Sequence, residues 1–218
     1  MVLIKWHGHA CFEVVDSKGF SIVIDPHDGA SLGLPTPSAK ADVVLITHEH
    51  FDHNAYNVVL KPSGKYYSMK EGSFQVGPHS VVGIPAYHDK FKGRRRGKVV
   101  MYLLDVEGVK ILHVGDLGHV LEPSEIKGVD TPHVLMAPIG GTFTIDAKEA
   151  LNLLELIKPK AFIPMHYWVS GVNLPLAPLE NFLNLTNLEV IKVGKEWQIS
   201  KEDLEGWVKT KIVVFSFK

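Results

Sequence analysis

The stretch DVVLITHEHFDH, residues 42–53, joins two signals. Its first half, DVVLIT, is an apolar run rich in β-branched residues, the pattern of a strand buried on both faces. Its second half sets His48, His50, Asp52 and His53 within six residues. In extended backbone, residues two apart project to the same side, so His48 and His50 can converge on one point. Asp52 and His53 lie just beyond and can serve a neighbouring point. Imidazole nitrogen and carboxylate oxygen are ligands that zinc and related divalent metals accept. A lone histidine is usually structural, but a solvated loop has no need of a His-x-His-x-Asp-His spacing. The loop therefore reads as a metal site. A single metal needs only three protein ligands, so four here, with further candidates elsewhere, point to two metals.

Working outward, VLIKW, CFEVVD and FSIVID precede this stretch as short strand-like runs, with SKG as a hairpin turn between the last two. SFQV, SVVGIPAY, KVVMYLLD and VKILHVGD follow as further strands, with VEG as a turn. The second half alternates. HVLMAPI reads as a buried strand, and DAKEALNLLELI as a helix with Leu151, Leu154 and Ile157 at helical spacing. Asp146, with Glu149 three residues on, is a capping signal, and Pro159 ends the helix. AFIPM is another strand, PLENFLNL another helix, and EVIKV, EWQIS and KIVVFSF close the chain as strands. No repeat, low-complexity tract or linker divides the sequence, so a single domain over residues 1–218 is expected. Many strands with a few amphipathic helices predict an α/β (α+β) fold of two mixed sheets packed together and flanked by helices. The patterning does not give the connectivity.

Composition narrows the function. A hydrophobic content of 45% with 22% charged residues excludes disorder. A formal net charge of −1 gives no overall attraction to nucleic acid or anionic membrane. Cys11 is the only cysteine, so no internal disulfide forms, which fits a reducing compartment. The opening MVLIKWHGHA lacks the apolar core of a signal peptide, and no apolar run approaches the ~18 residues of a membrane helix. A cytoplasmic protein is expected. Cys11 lies in a strand with no helix terminus to activate it, and there is no Gly-x-Ser-x-Gly elbow, P-loop or dinucleotide fingerprint.

THEHFDH resembles the signature of the metallo-β-lactamase superfamily, whose members are mostly dinuclear hydrolases built as a four-layer αβ/βα sandwich. Further matches follow in the superfamily's order: VIDP with Asp25, PAYH with His88, HVGD with Asp116 and PMHY with His166. GHACF and PIGGTFTIDAKEA resemble a branch of metal-dependent hydrolases that includes ascorbate-6-phosphate lactonase-like enzymes. The resemblance implies that His48, His50 and His88 hold a first metal, that Asp52, His53 and His166 hold a second, and that Asp116 bridges both. Asp25 would stand behind the ligands and orient the histidine loop. Zinc is the expected metal, with manganese or iron also compatible with a mixed His/carboxylate set. A bridging carboxylate keeps two cations about 3.5–4 Å apart, where a trapped water loses a proton near neutral pH.

His9, in GHACF, can reach the site mouth and joins Asp52 and Asp116 as a candidate catalytic residue. His113, at the end of VKILHVGD, is expected to pack behind the ligands. His7, His27, His79, His119 and His133 have no evident partner and are taken as structural, with His27 a candidate for the pocket rim. Gly140 and Gly141 are expected to form a tight turn near the metals. DKFKGRRRGK, directly after His88, is either a solvated loop or an electropositive lip in which Arg94, Arg95 and Arg96 meet a substrate phosphate or carboxylate. Nucleic acid is disfavoured by the neutral net charge, and Tyr87 and Phe91 are too few for base stacking. The expected function is dinuclear metal-dependent hydrolysis of an ester, lactone or phosphoester in a small anionic molecule. The alternatives are a phosphodiesterase or ribonuclease, and a noncatalytic metal-binding protein of the same fold. The branch resemblance also implies a possible homo-oligomer.

Overall fold

The computed structural model describes residues 1–217. Strands β1 (Val2–Trp6), β2 (Phe12–Val15), β3 (Ser21–Ile24) and β4 (Ala41–Ile46) are followed by helix α1 (Tyr56–Val59) and strand β5 (Leu60–Ser68). Strands β6 (Gly72–Val76), β7 (His79–Tyr87), β8 (Lys98–Val106) and β9 (Val109–His113) come next. Then follow β10 (Val134–Pro138), α2 (Ala147–Ile157), β11 (Ala161–Met165) and α3 (Leu179–Leu183). The described chain closes with β12 (Val190–Val193), β13 (Glu196–Ile199), α4 (Lys201–Glu205) and β14 (Lys211–Phe215).

The strands form a six-stranded sheet, β13-β1-β2-β3-β4-β5, and an eight-stranded sheet, β12-β14-β11-β10-β9-β8-β7-β6. Both are mixed: β3 and β4 pair parallel and β1 and β2 antiparallel, while β10 and β11 pair parallel and β7 and β8 antiparallel. The core lies between the sheets. Side-chain alternation in β4 shows why its run is apolar throughout. Val43 and Leu45 join the main core, whereas Val44 and Ile46 pack with Cys11, Val23 and Val59 on the other face. Helix α1 contacts β4 and β5, and α2 contacts β10 and α3, so helices flank both sheets of the sandwich. These layers are thin, since α2 has 11 residues while α1 has 4.

Helix α2 begins with the expected capping box, in which Asp146 accepts from the Glu149 amide at 3.0 Å and Glu149 accepts from the Asp146 amide at 3.1 Å. Its buried stripe is Ala147, Ala150, Leu153, Leu154 and Ile157, so Leu153 takes the core position expected of Leu151. Strand β5 escapes the sequence reading because Pro62 and Gly64 interrupt it. As an edge strand it tolerates both.

The pairings fix where function can sit. Strand β1 runs with β3 and β4, because β1 and β3 are each antiparallel to β2. In the same way β7 runs with β9, β10 and β11. The loops after β1, β3, β4, β7, β9 and β11 carry His9, Asp25, the 48–53 cluster, His88, Asp116 and His166. Loops at the C-terminal ends of strands are the usual seat of sites in α/β sheets.

Candidate metal centre

Leaving Asp25 aside, these loops bring the candidate ligands into two groups. His48, His50 and His88 form one, and His9, Asp52, His53 and His166 form the other, with ligand atoms in each group within 4.8 Å of one another; Asp25, His48 and His53 form a third set that overlaps both. Asp116 stands between them. Its carboxylate oxygens lie 3.7 Å from His48 Nε2, 3.4 Å from His88 Nε2, 3.3 Å from His53 Nε2 and 3.2 Å from His166 Nε2. All of these residues are buried except His50, which is half-buried.

Behind them, Asp25 is fully committed to hydrogen bonds. It accepts from the Thr47 amide at 2.7 Å, from the Thr47 hydroxyl at 2.6 Å and from His53 Nδ1–H at 3.1 Å. With its hydroxyl proton pointed at Asp25, Thr47 Oγ1 accepts from His48 Nδ1–H at 3.0 Å. Both histidines are thereby turned so that Nε2 faces Asp116, the orientation that partners behind a metal ligand enforce. Asp25 thus contacts the histidine loop through both carboxylate oxygens. Thr47 was missed by the sequence reading although it stands next to His48.

Burial and neighbouring charge shift these groups in opposite directions. Burial raises the carboxyl pKa of Asp116, but His166 and His53 outweigh it and hold it well below the usual range. For Asp52, burial is likewise outweighed by His53 and His9, and the carboxyl is pushed down. His53 shows the converse: burial would lower it, yet Asp116 and Asp52 push its pKa well above the ordinary value. Burial, reinforced by His53, lowers His48 to about 3, and burial lowers His88 to about 4, so both present neutral lone pairs at pH 7. Among the described residues, the buried side-chain atoms without a hydrogen-bond partner are His48 Nε2, His53 Nε2, both His166 nitrogens, His88 Nδ1, Asp116 Oδ1, His9 Nδ1 and His27 Nδ1. All but the last belong to this centre. An unpaired buried polar group costs about 1–3 kcal/mol, so such a concentration is unexplained by packing. Divalent cations fit the donor set.

His9 is fully buried, and its Nε2 lies 3.0 Å from Asp52 Oδ2. Its carbonyl accepts from Trp6 Nε1–H at 3.0 Å and from the His166 amide at 3.1 Å, so the loop after β1 is tied to the loop after β11. His9, Asp25 and His166 all adopt positive φ, at 52°, 50° and 50°, a conformation that costs a non-glycine residue about 1–3 kcal/mol. His113 is buried and satisfied: Nε2–H donates to the Ala10 carbonyl at 2.9 Å and Nδ1 accepts from the Gly115 amide at 3.1 Å. It packs behind the centre. His27 is buried as well, with Nε2–H donating to the His7 carbonyl at 3.1 Å, so it is not on a pocket rim. His7 pairs with Glu13, His79 with Asp16, His133 accepts from the Lys110 amide, and His119 accepts from the Tyr87 amide. Gly140 permits close approach rather than only a turn, because a Cβ there would lie 2.2 Å from the His166 carbonyl oxygen.

A cavity of about 230 Å³ opens on Asp52, Asp116, His50 and His88. Arg96 lines it. Arg96 and Arg95 both line a neighbouring cavity of about 520 Å³, and Arg94 lines neither.

A family model described as a beta-lactamase superfamily domain matches residues 3–166. The chain therefore belongs to the metallo-β-lactamase superfamily. A UPF0173 metal-dependent hydrolase of Thermococcus onnurineus is 33% identical over 77% of this chain and 85% of its own length. Another, from Thermoplasma volcanium, is 32% identical over 76% of this chain and 83% of its own. A solved structure from Thermotoga maritima, assigned to the zinc-dependent hydrolases of the superfamily, superposes with a TM-score of 0.78 at 32% identity, covering 99% of this chain and 98% of that one. Within the superfamily, the chain is a member of the UPF0173 family of metal-dependent hydrolases. No helix among the described residues is long and apolar enough to cross a membrane.

Proposed function

We propose that the chain is a dinuclear hydrolase that cleaves an ester, lactone or phosphoester bond in a small anionic molecule. The observation that carries this reading is the place of Asp116, whose carboxylate lies within 3.7 Å of imidazoles from both ligand groups. His48, His50 and His88 would hold one cation and Asp52, His53 and His166 the other, with Asp116 shared. Zinc is the first choice, and manganese and iron are compatible with the same donors. Bound there, two cations supply Lewis acidity and activate water near neutral pH. The protein groups do the rest. Asp25 and Thr47 orient His53 and His48, and His9 holds Asp52 by a hydrogen bond through Nε2–H. The cavity of about 230 Å³ over the candidate ligands adjoins one of about 520 Å³ that shares His88, Arg96 and Phe143 with it, together in the roughly 300–1,000 Å³ range of small-molecule sites.

The test is metal content by elemental mass spectrometry, paired with turnover of p-nitrophenyl acetate and bis(p-nitrophenyl) phosphate. About two equivalents per wild-type chain, lost together with turnover in Asp116→Ala, is the expected result. A chain that takes up neither zinc, manganese nor iron would sink the reading.

A further inference from the structure

Beyond the candidate ligands, the wall of the smaller cavity is Phe51, Phe143, Leu174 and Arg96. Three apolar side chains and one cation face the centre. The Arg96 guanidinium lies over the Phe143 ring at 4.7 Å from its centroid, and no described carboxylate pairs with it. A guanidinium held over an aromatic ring with no carboxylate partner keeps N–H donors for a two-oxygen acceptor.

The loop that presents Arg96 is built from Asp89, the residue after His88. The Asp89 carboxylate accepts from four backbone amides: Phe91 at 2.7 Å, Gly93 at 3.0 Å, Arg95 at 2.9 Å and Arg96 at 2.7 Å. The His88 amide donates to the Gly97 carbonyl at 3.1 Å and closes the loop onto the ligand itself. The other cations of the loop are placed differently. Lys90 pairs with Glu149. Arg95 lies over the Phe91 ring at 4.0 Å from its centroid and borders only the larger cavity, whereas Arg96 lines both.

We propose that Arg96 is the specificity-determining residue of this centre, holding the carboxylate or phosphate of a substrate whose apolar body lies against Phe51, Phe143 and Leu174. The scissile bond then faces the two ligand groups. Asp89 is a positioning residue that acts through the loop backbone. This assignment rests on the hydrolase reading above, and it adds that the site selects small molecules with an anionic group set apart from the bond that breaks.

The experiment compares two probes on the metal-loaded protein by titration calorimetry: propylphosphonate, and 3-phosphonopropanoate, which adds a distal carboxylate. The wild type should bind the carboxylate-bearing probe about tenfold more tightly, the worth of one charge-assisted contact. Arg96→Met should abolish that preference without changing metal content or propylphosphonate affinity, and Arg96→Lys should restore part of it. Asp89→Asn should weaken the preference while metal content stays at the wild-type level. Equal affinities in the wild type, no binding of either probe, or a preference that survives Arg96→Met would each overturn the assignment. Turnover of p-nitrophenyl acetate and mono-p-nitrophenyl succinate separates the two readings. Preference for the carboxylate-bearing probe with no hydrolysis of either ester leaves the Arg96 site standing and removes the hydrolase.

Discussion

The two groups of candidate ligands are built by different means. His48, His50 and His88 are all imidazoles, and the loops that bear them are tied where the Val100 amide donates to the Thr47 carbonyl at 2.9 Å. His50 is half-buried, and its Nδ1 lies 3.2 Å from His88 Nε2 at the cavity mouth. His9, Asp52, His53 and His166 are wholly buried and include a carboxylate. Their scaffold is cross-linked through the backbone, from the His166 amide to the His9 carbonyl, and through Asp25 to His53. A preorganised site holds its ligand without reordering itself, whereas a site open on one side must gather its donors first. The mixed group should therefore hold its cation more tightly and the imidazole group should exchange more freely.

The largest effect would come from removing what the two groups share. Asp116→Ala should empty both and lower turnover by at least ~10²-fold, read as metal stoichiometry and initial rate. His50→Ala should leave about one equivalent bound. If His50→Ala instead lost both cations, the two groups would not be separable.

The second effect concerns stability of the metal-free protein. His53 is the cation buried among Asp25, Asp52 and Asp116, and His53→Ala leaves those carboxylates uncompensated. Breaking a buried pair in this way costs about 3–5 kcal/mol, whereas His50→Ala at the half-exposed mouth should stay within ~0.5 kcal/mol. Urea unfolding of both variants decides it. The pH dependence has two signs, one carried by His53 and the other by the histidines whose pKa burial lowers, His48, His88 and, in the mixed group, His9. The raised pKa of His53 gives stability that is complete below its unfolded value of 6.5 and is lost as pH rises through the folded value. The lowered values of His48, about 3, and His88, about 4, give stability that is present above 6.5 and is lost as pH falls toward them. The metal-free protein should thus weaken in both acid and alkali, and His53→Ala should remove the alkaline limb. An alkaline limb unchanged in that variant would mean that another group carries it.

A third prediction tests the wiring of one histidine. Thr47→Val removes the oxygen that accepts from His48 Nδ1–H and sends its proton to Asp25, without touching the mixed group directly. Loss of an orienting partner behind a ligand costs about 10–100-fold in metal affinity. Competition with a chromophoric chelator should show that loss for the weaker cation and a smaller one for the tighter.

Much of this centre was legible because its chemistry is concentrated in side chains whose spacing has few other uses. His48 to His53 follow a strand whose apolar run reports burial on both faces, and Asp146 with Glu149 marks the start of α2. What stayed hidden depends on neighbours distant in sequence. The core position of Leu153 is set by how α2 is rotated against β10, and four leucines and an isoleucine at mixed spacing do not fix that rotation. Strand β5 was masked by Pro62 and Gly64, whose local preferences yield to the edge position. Asp89 looks like one more charge in a basic loop until four amides are seen to converge on it. His27, read as a rim residue, is buried because the loop after β3 folds under the loop after β1, which no local pattern announces.

The smallest effect tests the comparison at a position with no side chain. Gly118 follows Asp116 by two residues, and its amide donates to the Tyr87 carbonyl at 2.9 Å. A Cβ at this position would lie 2.3 Å from the His88 carbonyl oxygen and 2.4 Å from the Asp89 amide nitrogen. Both are backbone atoms, so no rotamer change relieves the clash, and the segment bearing His88 must move. The cost should be about 1–3 kcal/mol, the usual range for overpacking. That strain falls on the imidazole group and on the loop that carries Arg96, while the mixed group sits on other strands. Gly118→Ala should therefore release one cation more readily and retain the other, with a modest drop in unfolding free energy. Equal loss of both would show that the two groups respond as a single unit through Asp116, and that the separation drawn from their construction does not extend to their energetics.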